Sequence, residues 1–393
     1  MIKLIKNGKV YGPEYLGKKD LLIVDRRIGA IEENIEVPED FVNIEVIDAE
    51  GNPVVPGFID SHVHIIGGGG EGGFATRTPE IQLTDITSAG VTVVVGCLGT
   101  DGTTRHMTSL LAKARALEEE GLTTYIYTGS YQIPVRTITG KCRDDIILID
   151  KIIGVGEVAI SDHRSSQPTR DEIAKIAAEA RVGGMLSGKC GIVNLHLGDG
   201  PRQLEYLIDI VKNTEIPAEQ FLPTHLNRNI GLLKASIDFA RLGGYIDLTT
   251  SSDPEFLEDG EVRASEGLKM LLEWGVPIEN ITFSSDGQGS LPLFDKDKKL
   301  IGLGIGEVKS LHREFKSAVL DKEVPIEDAL KVVTSNVAKV LKLNTKGRIV
   351  RGNDADLVIL NKENLNIDTV LSRGEIMVYR GNTVVKGTFE KIR

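Results

Sequence analysis

Cysteine is scarce in this chain. Cys97, Cys142 and Cys190 are its only three in 393 residues, with no CxxC and no paired spacing. That excludes a disulfide framework and favours a reducing compartment, expected to be the cytoplasm. No run of about 18 apolar residues occurs, so no membrane span is predicted. Met1–Gly8 lacks a continuous apolar core, so no signal peptide is predicted. Positive charge is in deficit. The net charge of −11 argues against a nucleic-acid or anionic-membrane surface, while leaving room for a locally positive pocket. No GxGxxG follows the first buried run and no GxxxxGK(S/T) occurs anywhere, so nucleotide-binding folds lose support.

What is present has a rhythm. From about 55 to 345, an apolar run of five to eight residues ends in polar or glycine residues and a helix-period segment follows. The runs are Val54–His64, Val91–Leu98, Thr124–Tyr131, Ile152–Ile160, Ile192–Leu197, Phe221–Leu226, Tyr245–Thr249 and Ile281–Ser285. Helical patterns between them include Arg105–Glu120, Arg170–Val182, Gln203–Lys212, Ile230–Leu242, Glu266–Trp274 and Glu307–Leu320. This alternation predicts an α/β protein with a parallel (β/α)8 TIM barrel, with a doubly wound open sheet as the alternative. Short strand-like pieces lie at both ends. Lys3–Ile5 precedes an expected Asn7-Gly8 turn, followed by Asp20–Asp25, Arg27–Glu32 and Val46–Asp48; the tail offers Asp356–Leu360, Ile376–Tyr379 and Asn382–Lys386. Neither set is large enough to be stable alone. Residues 1–54 plus 346–393 are therefore expected to form one small β-sandwich-like domain, flanking a catalytic barrel of 55–345.

In such a barrel, chemistry sits at the C-terminal ends of the strands. Reading those ends gives His62 and His64 on strand one, Glu157 on strand four, His196 on strand five, His225 on strand six and Asp286 on strand eight. Strand side chains alternate, so His62 and His64 share a face, and imidazole suits zinc and similar ions. Four of only seven histidines fall at these ends, which is improbable for scattered core histidines. Four imidazoles and two carboxylates suffice for two divalent ions sharing a bridging carboxylate and a bridging water. The ions would bring that water toward hydroxide at neutral pH. Asp286 would take its proton and return it to the leaving group.

This pattern resembles the amidohydrolase superfamily, and the tail Gly347–Val358 resembles that superfamily's return into its β-domain. More narrowly, the chain is similar to the isoaspartyl (β-aspartyl) dipeptidase family. The similar segments are His62–Glu71 (HVHIIGGGGE), Tyr127–Tyr131 (YTGSY), Ile160–Ser165 (ISDHRS), Pro223–Asn229 (PTHLNRN) and Ser284–Ser290 (SSDGQGS). They span the whole barrel in order, and the glycine run with ISDHRS and PTHLNRN is the specific part. The resemblance implies a zinc metallopeptidase that cleaves β-aspartyl dipeptides and assembles as a large homo-oligomer. Its metal ligands would be His62, His64, Glu157, His196, His225 and Asp286, holding two Zn²⁺ bridged by Glu157 and a hydroxide. The family usually bridges with a carbamylated lysine, and the position aligned with it is Glu157. Lys151 is no substitute, because six residues along a strand cover about 20 Å.

The implied substrate carries a free amine and two carboxylates. By resemblance, Glu71 would hold the amine and Tyr131 would hydrogen-bond the carbonyl oxygen as it becomes an oxyanion. Arg164 and Arg228 follow strands four and six, a suitable place for bidentate carboxylate recognition. Ser290 is a candidate donor to the substrate's α-carboxylate, and Thr100 a second for the same end. His163, His106 and His312 are not expected to be ligands. Two other readings stand beside this one: a cyclic-amide hydrolase of dihydroorotase or hydantoinase type, and a non-catalytic assembly protein on the same fold. A glutamate bridge needs no carbon dioxide. Protein stripped of metal and CO₂ is therefore expected to regain full activity with zinc alone, and recovery that requires bicarbonate would contradict the assignment of Glu157.

Overall fold

Residues 2–37, 43–252, 257, 260–294 and 300–391 are described in this computed structural model. Parts of the terminal spans expected to form the β-domain (1, 38–42, 392–393) and of the barrel span (253–256, 258–259, 295–299) lie outside the described residues. Eight parallel strands form the centre. The first barrel strand (Phe58–Val63) pairs with the second (Val91–Gly96), then come the third (Thr123–Thr128), fourth (Ile152–Ile160), fifth (Ile192–Leu197) and sixth (Phe221–Thr224). The seventh (Ile246–Thr249) pairs in parallel with the eighth (Ile281–Ser284). A parallel bridge between Val63 and Gly287 joins eighth to first, and the Leu226 amide donates to Asp247 O at 3.3 Å between sixth and seventh. The chain is a (β/α)8 barrel. Its strands are continuous apolar runs because helices cover them outside and side chains fill them inside.

The helices carry their own start signals. Thr169 caps Arg170–Ser187 through a reciprocal capping box with Glu172, and Gly188 (φ 71°) ends that helix in the left-handed conformation. Asn229 caps Ile230–Arg241 by accepting from the Leu232 amide at 2.8 Å. Four α-helices lie outside the helical patterns named from the sequence: Leu83–Thr87, Cys142–Leu148, Ile326–Val333 and Ser335–Val340. The first, second and last of these are only five, seven and six residues long, fewer than two helical turns.

Both termini feed one sheet. Strands within 2–56 and within 357–383 form a nine-stranded sheet in which Val55 pairs antiparallel with Val358. The expected run Val54–His64 is accordingly two strands. Pro53–Pro56 belongs to this sheet and Phe58–Val63 to the barrel. Gly57 separates them, its amide donating to Asp356 O at 2.8 Å, and a Cβ there would meet Thr92 Oγ1 at 2.3 Å. The expected Asn7-Gly8 turn is a bulge instead. The strand Ile2–Tyr11 runs through it, with Lys6 and Asn7 opposite Asp20. Asn7 takes φ 59°, which asparagine tolerates, and its amide donates to Asp20 Oδ1 at 2.9 Å.

A buried ion cluster pins the sheet to the barrel. Lys346 is 7 % exposed; its Nζ donates to Asp356 and to Thr123 Oγ1 (2.7 Å) and lies 3.1 Å from Asp354. Removing the cation leaves a buried carboxylate uncompensated. Lys346→Met is expected to lower the apparent unfolding free energy by about 3–5 kcal/mol in urea denaturation, and a change below about 1 kcal/mol would refute the pinning role.

Candidate active site

Six side chains from five barrel strands meet at one end of the barrel. His62 lies on the first strand and His64 just past it; Glu157 and His196 lie on the fourth and fifth strands. His225 and Asp286 follow the sixth and eighth strands in left-handed backbone, with φ 63° and 53°. Such positions cost about 1–3 kcal/mol each and persist where the surroundings hold them. The Asp286 amide donates to His62 O at 3.1 Å, and the His64 amide to Gly287 O at 2.8 Å.

Glu157 is at the centre. Its Oε2 lies 3.3 Å from His62 Nε2 and 3.8 Å from His64 Nε2. Its Oε1 lies 2.7 Å from His196 Nδ1 and 3.2 Å from His225 Nε2. Each carboxylate oxygen thus faces one pair of imidazoles. Asp286 Oδ1 stands 3.0 Å from His64 Nε2 and 3.7 Å from His62 Nε2. A bulge makes this reach achievable. Val155 pairs with Val193 and Val158 with Leu195, so Gly156 and Glu157 together oppose Asn194. The backbones approach so closely that a Cβ on Gly156 would meet Asn194 Cβ at 2.8 Å. The extra residue re-aims Glu157 into the barrel. Lys151 sits elsewhere, paired with Glu118 and donating to Thr124 O.

The donor set fits divalent ions. His62, His64, Cys97 and Glu157 form one group whose ligand atoms lie within 4.8 Å of one another; Glu157, His196 and His225 form a second that shares the carboxylate. Among the described residues His62 Nε2, Glu157 Oε2 and Asp286 Oδ1 are buried with no hydrogen-bond partner, an expensive arrangement that a bound cation would relieve. The other nitrogen of each ring has a neighbour: Asn194 Oδ1 for His62 (3.0 Å), Cys97 Sγ for His64 (3.7 Å), Thr249 for His225 and Asp162 Oδ2 for His196 (3.0 Å). Such outer partners orient metal-binding imidazoles. Burial pushes the His225 pKa down to about 3, with His196 adding to the shift, so its ring is a neutral donor. Burial opposes ionisation of Glu157, but the His62 and His196 imidazoles outweigh it and hold its carboxyl well below the usual range. For Asp286, burial is likewise outweighed, first by the His64 imidazole 3.0 Å away, and the pKa falls to about 2.

Above the cluster opens a cavity of about 480 Å³. Glu71, Thr100, Tyr131, Arg164, Arg228 and Ser290 all line it, together with His64, His196 and Asp286. Thr100 donates to Glu71 Oε1 at 2.7 Å rather than pointing free into the cavity. Tyr131 Oη lies 2.8 Å from His196 Nδ1, and burial, then Glu157, raise its pKa well above the usual phenol, so it stays a donor. Arg228 donates Nε to Leu197 O at 3.1 Å and has no ion-pair partner among the described residues. Of the other histidines, His106 precedes the helix Met107–Glu119, His312 Nε2 donates to Leu365 O at 2.8 Å, and His163 has a largely exposed side chain at the cavity rim. The sequence reading missed Asn194, Cys97, Thr249 and Asp162. Only Asp162 carried a signal, since it lies inside ISDHRS.

The sequence matches the amidohydrolase family over residues 54–377. The chain belongs to the amidohydrolase family. Among solved structures it is similar to the β-aspartyl dipeptidase of the thermophilic, keratin-degrading Fervidobacterium islandicum AW-1 in complex with β-Asp-Leu. Identity is 47 %, over 100 % of this chain and 98 % of that one, with a TM-score of 0.91. A second structure of the β-aspartyl dipeptidase from that organism is 45 % identical over 100 % of both chains, with a TM-score of 0.89. Among curated relatives, a dihydroorotase of Staphylococcus epidermidis is 47 % identical over 70 residues. That match spans only 18 % of this chain and 16 % of the dihydroorotase. In this member of the family, Glu157→Gln is expected to weaken metal binding by more than about 100-fold, beyond what outer partners contribute. Metal content after dialysis against a chelator series checks this, and unchanged content would remove Glu157 from the ligand set.

Proposed function

We propose that this amidohydrolase is a zinc-dependent dipeptidase that hydrolyses β-aspartyl dipeptides. The observation that carries the reading is Glu157, with one oxygen toward each histidine pair, beneath a cavity lined by an anion, Glu71, and a cation, Arg228, that has no ion-pair partner among the described residues. Full-length similarity to the F. islandicum β-aspartyl dipeptidase supports it.

His62, His64, Glu157, His196, His225 and Asp286 would hold two ions, which when bound supply Lewis-acid polarisation of the scissile carbonyl and a more acidic water. Glu71, steadied by Thr100, takes the substrate's amine. Arg228 and Arg164 take its carboxylates, with Ser290 as a further donor. Tyr131, kept protonated, donates to the carbonyl oxygen as negative charge develops. Asp286, kept ionised, accepts the proton of the attacking water and returns it to the leaving amine. In this proposal the protein acts in the cytoplasm as a homo-oligomer on a small dipeptide, without nucleic acid or membrane. No helix among the described residues is long and apolar enough to cross a membrane.

Zinc-loaded protein is expected to hydrolyse β-Asp-Leu and leave α-Asp-Leu intact. Tyr131→Phe should lower kcat by about 10²–10³-fold, the usual loss for one oxyanion donor. Turnover of dihydroorotate or a hydantoin with β-Asp-Leu untouched would overturn the proposal in favour of a cyclic-amide hydrolase. Metal-loaded protein inert to all of these would point to the assembly role.

A further inference from the structure

Asp162 follows the fourth barrel strand and is 6 % exposed. Its Oδ1 accepts from the Arg164 amide at 2.7 Å and from Arg164 Nε at 3.0 Å. Its Oδ2 accepts from Arg164 Nη2 at 2.7 Å and lies 3.0 Å from His196 Nε2. One small carboxylate therefore touches both a cluster imidazole and a cavity guanidinium. The remaining guanidinium nitrogen, Nη1, is 3.6 Å from Glu71 Oε1 at the cavity, and the group lies over the Tyr131 ring at 5.5 Å.

The tautomer of His196 makes this contact consequential. His196 turns Nδ1 to Glu157 Oε1. Nδ1 offers a lone pair to an ion only if the ring's proton sits on Nε2. Arg164 Nη2 is also 3.1 Å from Nε2. Arginine only donates, so left alone with His196 it would draw Nε2 into the acceptor role and drive the proton onto Nδ1. That is the tautomer unable to bind a cation through Nδ1. Asp162 resolves the conflict, because its Oδ2 accepts from both groups.

We propose that Asp162 is a positioning residue. Its carboxylate fixes the His196 tautomer that holds a divalent ion, and clamps Arg164 so that its remaining nitrogen, Nη1, faces the cavity beside Glu71. Metal binding and carboxylate recognition thus share one anchor. The inference rests on the dipeptidase reading for Arg164 and on the donor set alone for His196.

The test uses the full-length protein with zinc as the probe. Asp162→Asn keeps the shape and loses one acceptor; Asp162→Glu keeps the charge. Zinc titration against a chromogenic chelator should show one site as in the wild type and the second weakened about 10–100-fold in Asp162→Asn. At saturating zinc, its KM for β-Asp-Leu should rise about tenfold, with kcat within about threefold, because a charge-assisted hydrogen bond to Arg164 is weakened. Asp162→Glu should recover part of both. Unchanged zinc affinity at both sites would overturn the proposal. Weakened zinc with an unchanged KM would overturn the shared anchor. If Asp162→Asn does not fold, Asp162→Ser carries the same readouts. Wild-type protein that binds zinc but cleaves no β-Asp-Leu would overturn the dipeptidase reading, and the zinc titration would then decide the His196 role by itself.

Discussion

A buried carboxylate among four imidazoles is the constraint on which the rest of this structure depends. Glu157 is fully buried, and its neighbours His62, His64, His196 and His225 are nearly so. Such a cluster is costly in an apolar interior unless charge is compensated and every ring is held in one orientation. The fold meets the second condition with outer partners drawn from different strands: Asn194 from the fifth, Cys97 after the second, Thr249 from the seventh and Asp162 after the fourth. Only a closed ring of strands brings those positions behind the same six groups.

The floor beneath the cluster is polar as well. Asp60 Oδ1 accepts from the Ser285 amide at 3.1 Å and from the His62 amide at 3.2 Å, so the first and eighth strands are tied where His62 and Asp286 emerge. Asp247 accepts from Thr224 (2.7 Å), Thr282 (2.6 Å) and Ser284, linking the sixth, seventh and eighth strands. Burial raises the pKa of both carboxyls, Asp60 to about 6. These networks replace part of the aliphatic filling expected inside such a barrel and fix the strand ends that carry the ligands.

The cavity is lined by groups of both signs. Glu71 and Thr100 stand on loops after the first and second strands, Arg164 and Arg228 after the fourth and sixth, and Arg164 Nη1 comes to 3.6 Å from Glu71 Oε1. Asp162 touches both Arg164 and His196, so the cavity and the imidazole cluster meet at one carboxylate.

Much of this was written in the sequence. A repeating exchange of buried runs and helix periods specifies a parallel barrel, and chemistry at strand ends then locates His62, His64, Glu157, His196, His225 and Asp286 without coordinates. Local signals failed where local energy did not decide. Asn7-Gly8 has turn chemistry, but pairing with Asp20 on the neighbouring strand absorbs it as a bulge. Val54–His64 is one apolar run to the eye, but contact with Thr92 and with the returning tail divides it at Gly57. The reach of Glu157 depended on the register between the fourth and fifth strands, which a long-range ladder sets. The second contacts of each imidazole depended on residues 24 to 132 positions apart. Residue type and spacing by themselves determined which groups are able to hold an ion, because that is a property of side-chain chemistry and period. Only the closed tertiary structure decided their reach and their outer contacts, because those follow from packing between strands distant in the chain.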